Sequence, residues 1–290
     1  MSSEPKTHVK TVKADGVEVF YREAGPANAS TILLLHGFPS SSFQYRNLIP
    51  ILATKYHVIA PDLPGYGFTE VPDSRKYEYT FASFAKTIGA FVDALDIKTF
   101  AIYVFDYGAP TGFRLALERP QSITAIISQN GNAYEDGLGK FWDPAKVFWK
   151  DRTEKTSEPI AALITLKGVT WQYLNGAPHP ETVPPEAYNL DYYLVNRPGN
   201  PQIQLDVFWN YQTNLPEYPK FQEYFRKYQP PTLAIWGKYD EIFIPPGAEA
   251  YKRDNPKAEV KLLDGGHFTL ETHLDVIATE ILAYLAKHNV

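Results

Sequence analysis

Polar and apolar residues alternate over positions 8–13 and again over 17–22, on either side of Ala14-Asp15-Gly16. Alternation with period two marks half-buried strands, and an Asp-Gly pair between two such runs marks a hairpin turn. Short apolar runs follow at 31–35, ending at His36-Gly37, and at 56–60, ending at Pro61-Asp62; each reads as a buried strand. The period then changes. Phe81, Phe84, Ile88, Phe91 and Leu95 recur at gaps of three and four, the spacing of an amphipathic helix. A strand over 100–105, a helix over 110–117 opened by Pro110, and a strand over 123–128 complete a β-β-β-β-α-β-α-β order. That order predicts an α/β architecture, a mostly parallel sheet with helices on its faces.

From about Gly131 to Tyr228 the strand rhythm stops. This stretch carries four tryptophans, a helix-like piece at 159–165 and the turn-rich Ala177-Pro178-His179-Pro180, and it predicts a helical insertion. Strands resume at 232–236 and 260–263. A closing helix then shows Leu274, Ile277, Ile281 and Leu285 at helical gaps. No internal repeat is present.

Composition narrows the class. The 290 residues are 44% hydrophobic and 21% charged, ordinary values for a folded chain that buries a sizeable core. No apolar run is long enough to span a bilayer. Positions 1–13 show neither a signal core nor an Arg-rich transit pattern, so a cytoplasmic protein is expected, without membrane association. With no cysteine there is no disulfide frame, no thiolate metal ligand and no thiol nucleophile. A formal charge of −5 argues against nucleic-acid binding. No metal or phosphate motif is present, so neither a metal nor another cofactor is expected. Twenty tyrosines stand against one methionine, and many of them fall in the middle stretch, as an apolar pocket with polar tips would use them.

The chemistry-bearing residues all fall at predicted strand ends. In Ile102-Tyr103-Val104-Phe105-Asp106-Tyr107-Gly108 a strand meets a helix through a sharp turn that lifts one side chain, Asp106, above the sheet. A lone Asp in such a place commonly caps a helix. Here, however, Asp240 follows the penultimate strand in Trp236-Gly237-Lys238-Tyr239-Asp240, and His267 follows the last in Asp264-Gly265-Gly266-His267. Nucleophile, acid, base is the chain order of an elbow hydrolase, and ligands bind at these ends of open α/β sheets. His36-Gly37-Phe38-Pro39, after the third strand, offers a backbone N–H for an oxyanion hole.

These motifs, together with Asp62-Leu63-Pro64-Gly65-Tyr66-Gly67, resemble the α/β-hydrolase fold, in the branch with an Asp nucleophile that contains epoxide hydrolases and haloalkane dehalogenases. The resemblance implies a mostly parallel eight-stranded sheet flanked by helices. The core would comprise 1–132 and 229–290, and a helical cap 133–228. Carboxylate attack on a saturated carbon gives an ester that water can cleave, whereas a serine would leave an inert ether. His267, oriented by Asp240, would activate that water, and the N–H groups of Phe38 and Tyr107 would hold the oxyanion.

Within the branch the leaving group decides. An epoxide needs a proton donor, and a Tyr phenol stays protonated at neutral pH. A halide needs N–H donors; dehalogenases of this resemblance carry a Trp after the nucleophile, where this chain has Tyr107, and one type carries Asn where it has Phe38. The resemblance implies two cap tyrosines over the nucleophile. Tyr211, 29 residues ahead of Asp240, fits the second. The usual place of the first, near 151–155, holds no Tyr, and Tyr173 is the substitute. Trp149 and Trp171 are expected at the substrate, where either could hold a halide. The sequence therefore predicts hydrolysis of a small apolar epoxide by water. Haloalkane dehalogenation and a catalytically silent binder are the alternatives, and a homodimer is left open.

Overall fold

The computed structural model describes residues 5–290. Eight strands form one sheet: β1 (His8–Ala14), β2 (Val17–Ala24), β3 (Thr31–Leu35), β4 (His57–Pro61), β5 (Phe100–Phe105), β6 (Ile123–Gln129), β7 (Thr232–Gly237) and β8 (Glu259–Leu263). Their order is β1-β2-β4-β3-β5-β6-β7-β8. β1 and β2 pair antiparallel, as do β2 and β4; every later pair is parallel. The β1–β2 turn has positive φ at both Asp15 (51°) and Gly16 (75°), the backbone that matches the twist of a two-residue hairpin.

Helices cover both faces. In chain order they are α1 (Leu48–Leu52), α2 (Phe81–Ala94), α3 (Gly108–Glu118), α4 (Asp143–Lys150), α5 (Glu154–Ala161), α6 (Leu166–Leu174), α7 (Pro185–Val195), α8 (Asn200–Asn210), α9 (Tyr218–Tyr228), α10 (Pro246–Glu249), α11 (Tyr251–Asp254), α12 (Thr269–Thr272) and α13 (Leu274–Lys287). The central strands are apolar on both sides because both sides are covered. Leu33, Leu35, Ile102 and Val104 pack with Phe84 and Ile88 of α2, whereas the alternate residues Ile32, Leu34, Ala101 and Tyr103 pack with Leu52 of α1 and Ile281 of α13.

Between β6 and β7 the chain forms only helices and turns. The expected helix over 159–165 is displaced: a Thr153/Thr156 capping box starts α5 at Glu154, and Thr165 caps α6, so the two helices part between them. Polar side chains seat this insert on the loops of the sheet. Asn200 Nδ2 donates to the Gly65 carbonyl at 2.9 Å, and the Phe81 N–H donates to Asn210 Oδ1 at 3.0 Å. Among the described residues no helix is long and apolar enough to cross a membrane.

Candidate active site

Asp106 stands at the tip of the β5–α3 turn with φ +47°, a left-handed conformation uncommon outside glycine, though Asp adopts it more readily than most residues. The turn is closely packed. At Gly108 an added Cβ would lie 2.1 Å from the Leu35 carbonyl oxygen, and at Gly37 it would lie 2.3 Å from Asp106 Oδ1. Two buried side chains shape the neighbouring loops. His36 Nδ1 donates to the Gly37 carbonyl at 3.0 Å and its Nε2 accepts from the Leu63 N–H at 2.9 Å, which fixes a neutral tautomer. Burial lowers its pKa accordingly. Asp62 accepts from the N–H groups of Ser42 and Phe68 at 2.7 and 2.8 Å and so holds its own turn.

The Asp106 carboxylate is buried and directed. Oδ1 accepts from the Phe38 N–H at 2.6 Å, the adjacent Tyr107 N–H favours the ionised carboxylate, and Oδ2 lies 3.7 Å from His267 Nε2. Burial pushes the carboxyl up to about 6, against the opposing pull of His267 and the two N–H groups. His267 Nδ1 bonds Asp240 Oδ2 at 2.9 Å, so the neutral imidazole keeps its lone pair on Nε2, an atom with no protein partner. Burial disfavours the imidazolium, but Asp240, and Asp106 after it, more than offset this and raise the pKa.

Asp240 is held in turn. Its Oδ1 accepts from the Ile242 N–H at 2.7 Å and its Oδ2 from Asn130 Nδ2 at 2.6 Å; Asn130 Oδ1 takes the Gly237 N–H at 3.2 Å. Asn130, itself at φ +49° past the end of β6, escaped the sequence reading. The available signal was its place at a strand end, which Asp106, Asp240 and His267 share. Behind this group Arg46 makes a two-point ion pair with Glu271 at 2.8 Å, tying α12 to the segment after β3.

Aromatic side chains of the insert and core close over Asp106. Phe38 packs edge-on against Phe208 at 5.1 Å, and Tyr107 lies 5.8 Å from Tyr211. Tyr211, fully buried, packs against Trp142 at 4.3 Å and Trp149 at 6.1 Å, parallel to the latter. The indole N–H of Trp149 donates to Phe208 O at 2.8 Å and that of Trp142 to Ile242 O at 2.7 Å. Trp171 stacks on Phe141 at 5.9 Å and lines a narrow crevice with Asp240, Ile242 and His267.

The Tyr211 hydroxyl lies 3.0 Å from that of Tyr218. Burial holds Tyr211 well above the usual phenol range, with Tyr218 and then the Asp106 carboxylate adding to the effect. Tyr66 and Tyr107 also bury hydroxyls without a protein partner near Asp106. Tyr173 is the correction to the sequence reading. Its ring stacks on Phe268 at 3.8 Å and its hydroxyl donates to the buried Asp191 at 2.5 Å, so the hydroxyl is taken by the α6–α7 packing rather than presented to Asp106.

With this geometry in view, comparison with known proteins settles the family. A sequence model described as alpha/beta hydrolase fold matches residues 30–274. The chain belongs to that family. It is 49% identical over 281 residues to the uncharacterized hydrolase YNR064C of Saccharomyces cerevisiae, covering 94% of this chain and 95% of that protein. A haloalkane dehalogenase of Psychrobacter cryohalolentis is 38% identical over 115 residues, which is 39% of this chain and 38% of its own. In three dimensions the haloalkane dehalogenase DbeA of Bradyrhizobium elkani superposes with a TM-score of 0.76, at 23% identity, over 98% of this chain and 99% of its own, a likeness of fold. The chain is an α/β hydrolase, with a site able to offer a carboxylate, a base held by a second carboxylate, two oxyanion donors and phenol hydroxyls. Among the described residues no group of three or more His, Asp or Glu side chains could hold a metal.

Proposed function

We propose that this hydrolase opens small apolar epoxides to vicinal diols through an ester on Asp106. The carboxylate attacks an oxirane carbon, an O–C bond forms, and the C–O bond of the ring breaks. The ring oxygen leaves with the electron pair and takes the proton of Tyr211. His267 Nε2 then removes a proton from water, and the resulting hydroxide adds to the ester carbonyl, whose oxyanion falls to the N–H groups of Phe38 and Tyr107. Loss of one such donor typically costs roughly 2.7–4 kcal/mol of transition-state stabilisation. Collapse breaks the ester C–O bond, and the departing alkoxide takes the proton held by His267 and leaves as the diol. The proton set free as Asp106 returns to carboxylate restores Tyr211, so one water and one epoxide balance one diol.

The observation that carries this reading is the division of donors around Asp106. A phenol hydroxyl is on hand, as a basic alkoxide requires, while the N–H groups of Trp142 and Trp149 already donate to carbonyls. Haloalkane dehalogenation is the second reading. It is favoured by the 38% identity to an enzyme of that name over 115 residues, and would use Trp149 or Trp171 for the halide. A silent binder is disfavoured because it would have no use for the His267–Asp240 pair.

Turnover of a mixed panel of epoxides and bromoalkanes, scored together for diol and bromide, separates the readings. Diol without bromide is the expected result. Bromide without diol moves the assignment to dehalogenation, and neither product with any substrate favours the binder.

A further inference from the structure

Tyr211 does not stand alone. Its hydroxyl is 3.0 Å from Tyr218 Oη, and Tyr218 Oη is 3.2 Å from Asn132 Nδ2. The same Asn132 nitrogen lies 2.7 Å from the Tyr134 carbonyl, which can only accept, so the amide is oriented with its NH2 toward both oxygens. Tyr218 therefore receives a proton from Asn132. Its own proton must go elsewhere, because a buried hydroxyl hydrogen without an acceptor is expensive. The partners within reach of this buried hydroxyl are Asn132 Nδ2, a donor, and Tyr211 Oη. With Tyr211 as donor the hydrogen left over would be that of Tyr218; with Tyr218 as donor it is that of Tyr211, the phenol assigned to the substrate oxygen.

From this we infer that Tyr218 is a positioning residue, which donates its hydroxyl to Tyr211, turns the Tyr211 proton toward the substrate oxygen and stabilises the phenolate left when that proton is transferred. The inference rests on the epoxide reading and deepens it. A Tyr211 that donated to Tyr218 would have its only proton engaged; a Tyr211 that accepts keeps it free. Hydrogen bonds in such a series polarise one another, so each donor strengthens the next. Within the series only Tyr211 gives up a proton, and it regains it when the ester is cleaved.

A residue that acts only through Tyr211 must lose its effect when the Tyr211 hydroxyl is gone. The test is a double-mutant cycle on ester formation, measured by rapid quench and intact mass in the full chain carrying His267→Gln, with styrene oxide as probe. With Tyr211 intact, Tyr218→Phe is expected to slow ester formation by roughly 3- to 10-fold, the range of one hydrogen bond, and in the Tyr211→Phe background by less than about twofold. The loss with Tyr211 intact should shrink for oxiranes bearing electron-withdrawing groups, whose alkoxides need the acid less, a trend that loosened packing does not produce. Asn132→Asp is a second variant: a carboxylate can only accept, would draw the Tyr218 proton away from Tyr211, and should slow the reaction in the same way. Equal losses in both backgrounds, or no loss with Tyr211 intact, overturn the role of Tyr218. Failure of the His267→Gln parent to form an ester with any epoxide overturns the epoxide reading itself, and this inference with it.

Discussion

At the scale of single residues, Asp106 carries opposing demands. Burial sharpens a nucleophile by removing water, yet it also penalises the charge on which nucleophilicity depends. The two N–H groups and His267 offset only part of this, which leaves the carboxyl at about 6. kcat/KM for an epoxide, which reports ionisations of the free enzyme, should therefore fall as pH drops below about 6; a pH profile flat down to 4.5 would contradict this. The same shift bears on stability. Because the folded pKa of about 6 exceeds the ordinary 3.8, the ionised carboxylate destabilises the fold above about pH 6, and the penalty fades as pH falls toward 4. A difference of about two units corresponds to roughly 3 kcal/mol. Asp106→Asn should abolish turnover yet raise Tm by a few degrees at pH 8, with the gain shrinking by pH 5, as differential scanning calorimetry would show. Esterification has a related consequence: neutralising Asp106 removes one of the charges that raise the His267 pKa, so a larger fraction of the imidazole is neutral and able to take a proton when water must be activated.

At the scale of elements, what could be read from the sequence depended on whether a residue is placed by its own strand. Asp106, Asp240 and His267 each follow a strand of a parallel sheet, and parallel strands deliver their ends to one edge; their mutual approach is a property of the topology. Asn130 shares that logic but lacked a hydrolase motif around it. The insert obeys no such rule. Tyr218 and Asn132 meet across 86 residues through packing of the insert against the loop after β6, and no spacing announces it. Tyr173 shows the converse: it was the substitute for a cap phenol missing near 151–155, but the α6–α7 contact engaged its hydroxyl with Asp191. Tyr173→Phe should accordingly lower stability by about 1–3 kcal/mol, by leaving a buried carboxyl without its donor, while turnover per folded molecule changes little. Thermal melts paired with active-site titration check this, and a large fall in turnover at unchanged stability would return Tyr173 to the catalytic group.

For the whole molecule, the periodicity of short apolar and alternating runs pointed to a mostly parallel sheet with helices on its faces, and the resemblance of the strand-end motifs supplied its eight-stranded form. The helices of the insert were less legible, since their buried faces mix polar residues such as Gln172, Asp191 and Gln204 with the apolar ones, and threonine caps set the limits of two of them. The fold then fixes what chemistry is available: a carboxylate at the strand edge, a base behind it, and an aromatic roof that supplies phenols. The central claim is that Asp106 becomes esterified by an epoxide, and the most direct measurement is the intact mass of the His267→Gln protein after exposure to styrene oxide. The account predicts a gain equal to the whole epoxide, mapped to the peptide containing Asp106 and absent when Asp106→Asn is added. No adduct with any epoxide, alongside alkylation by a bromoalkane with loss of bromide, would contradict it.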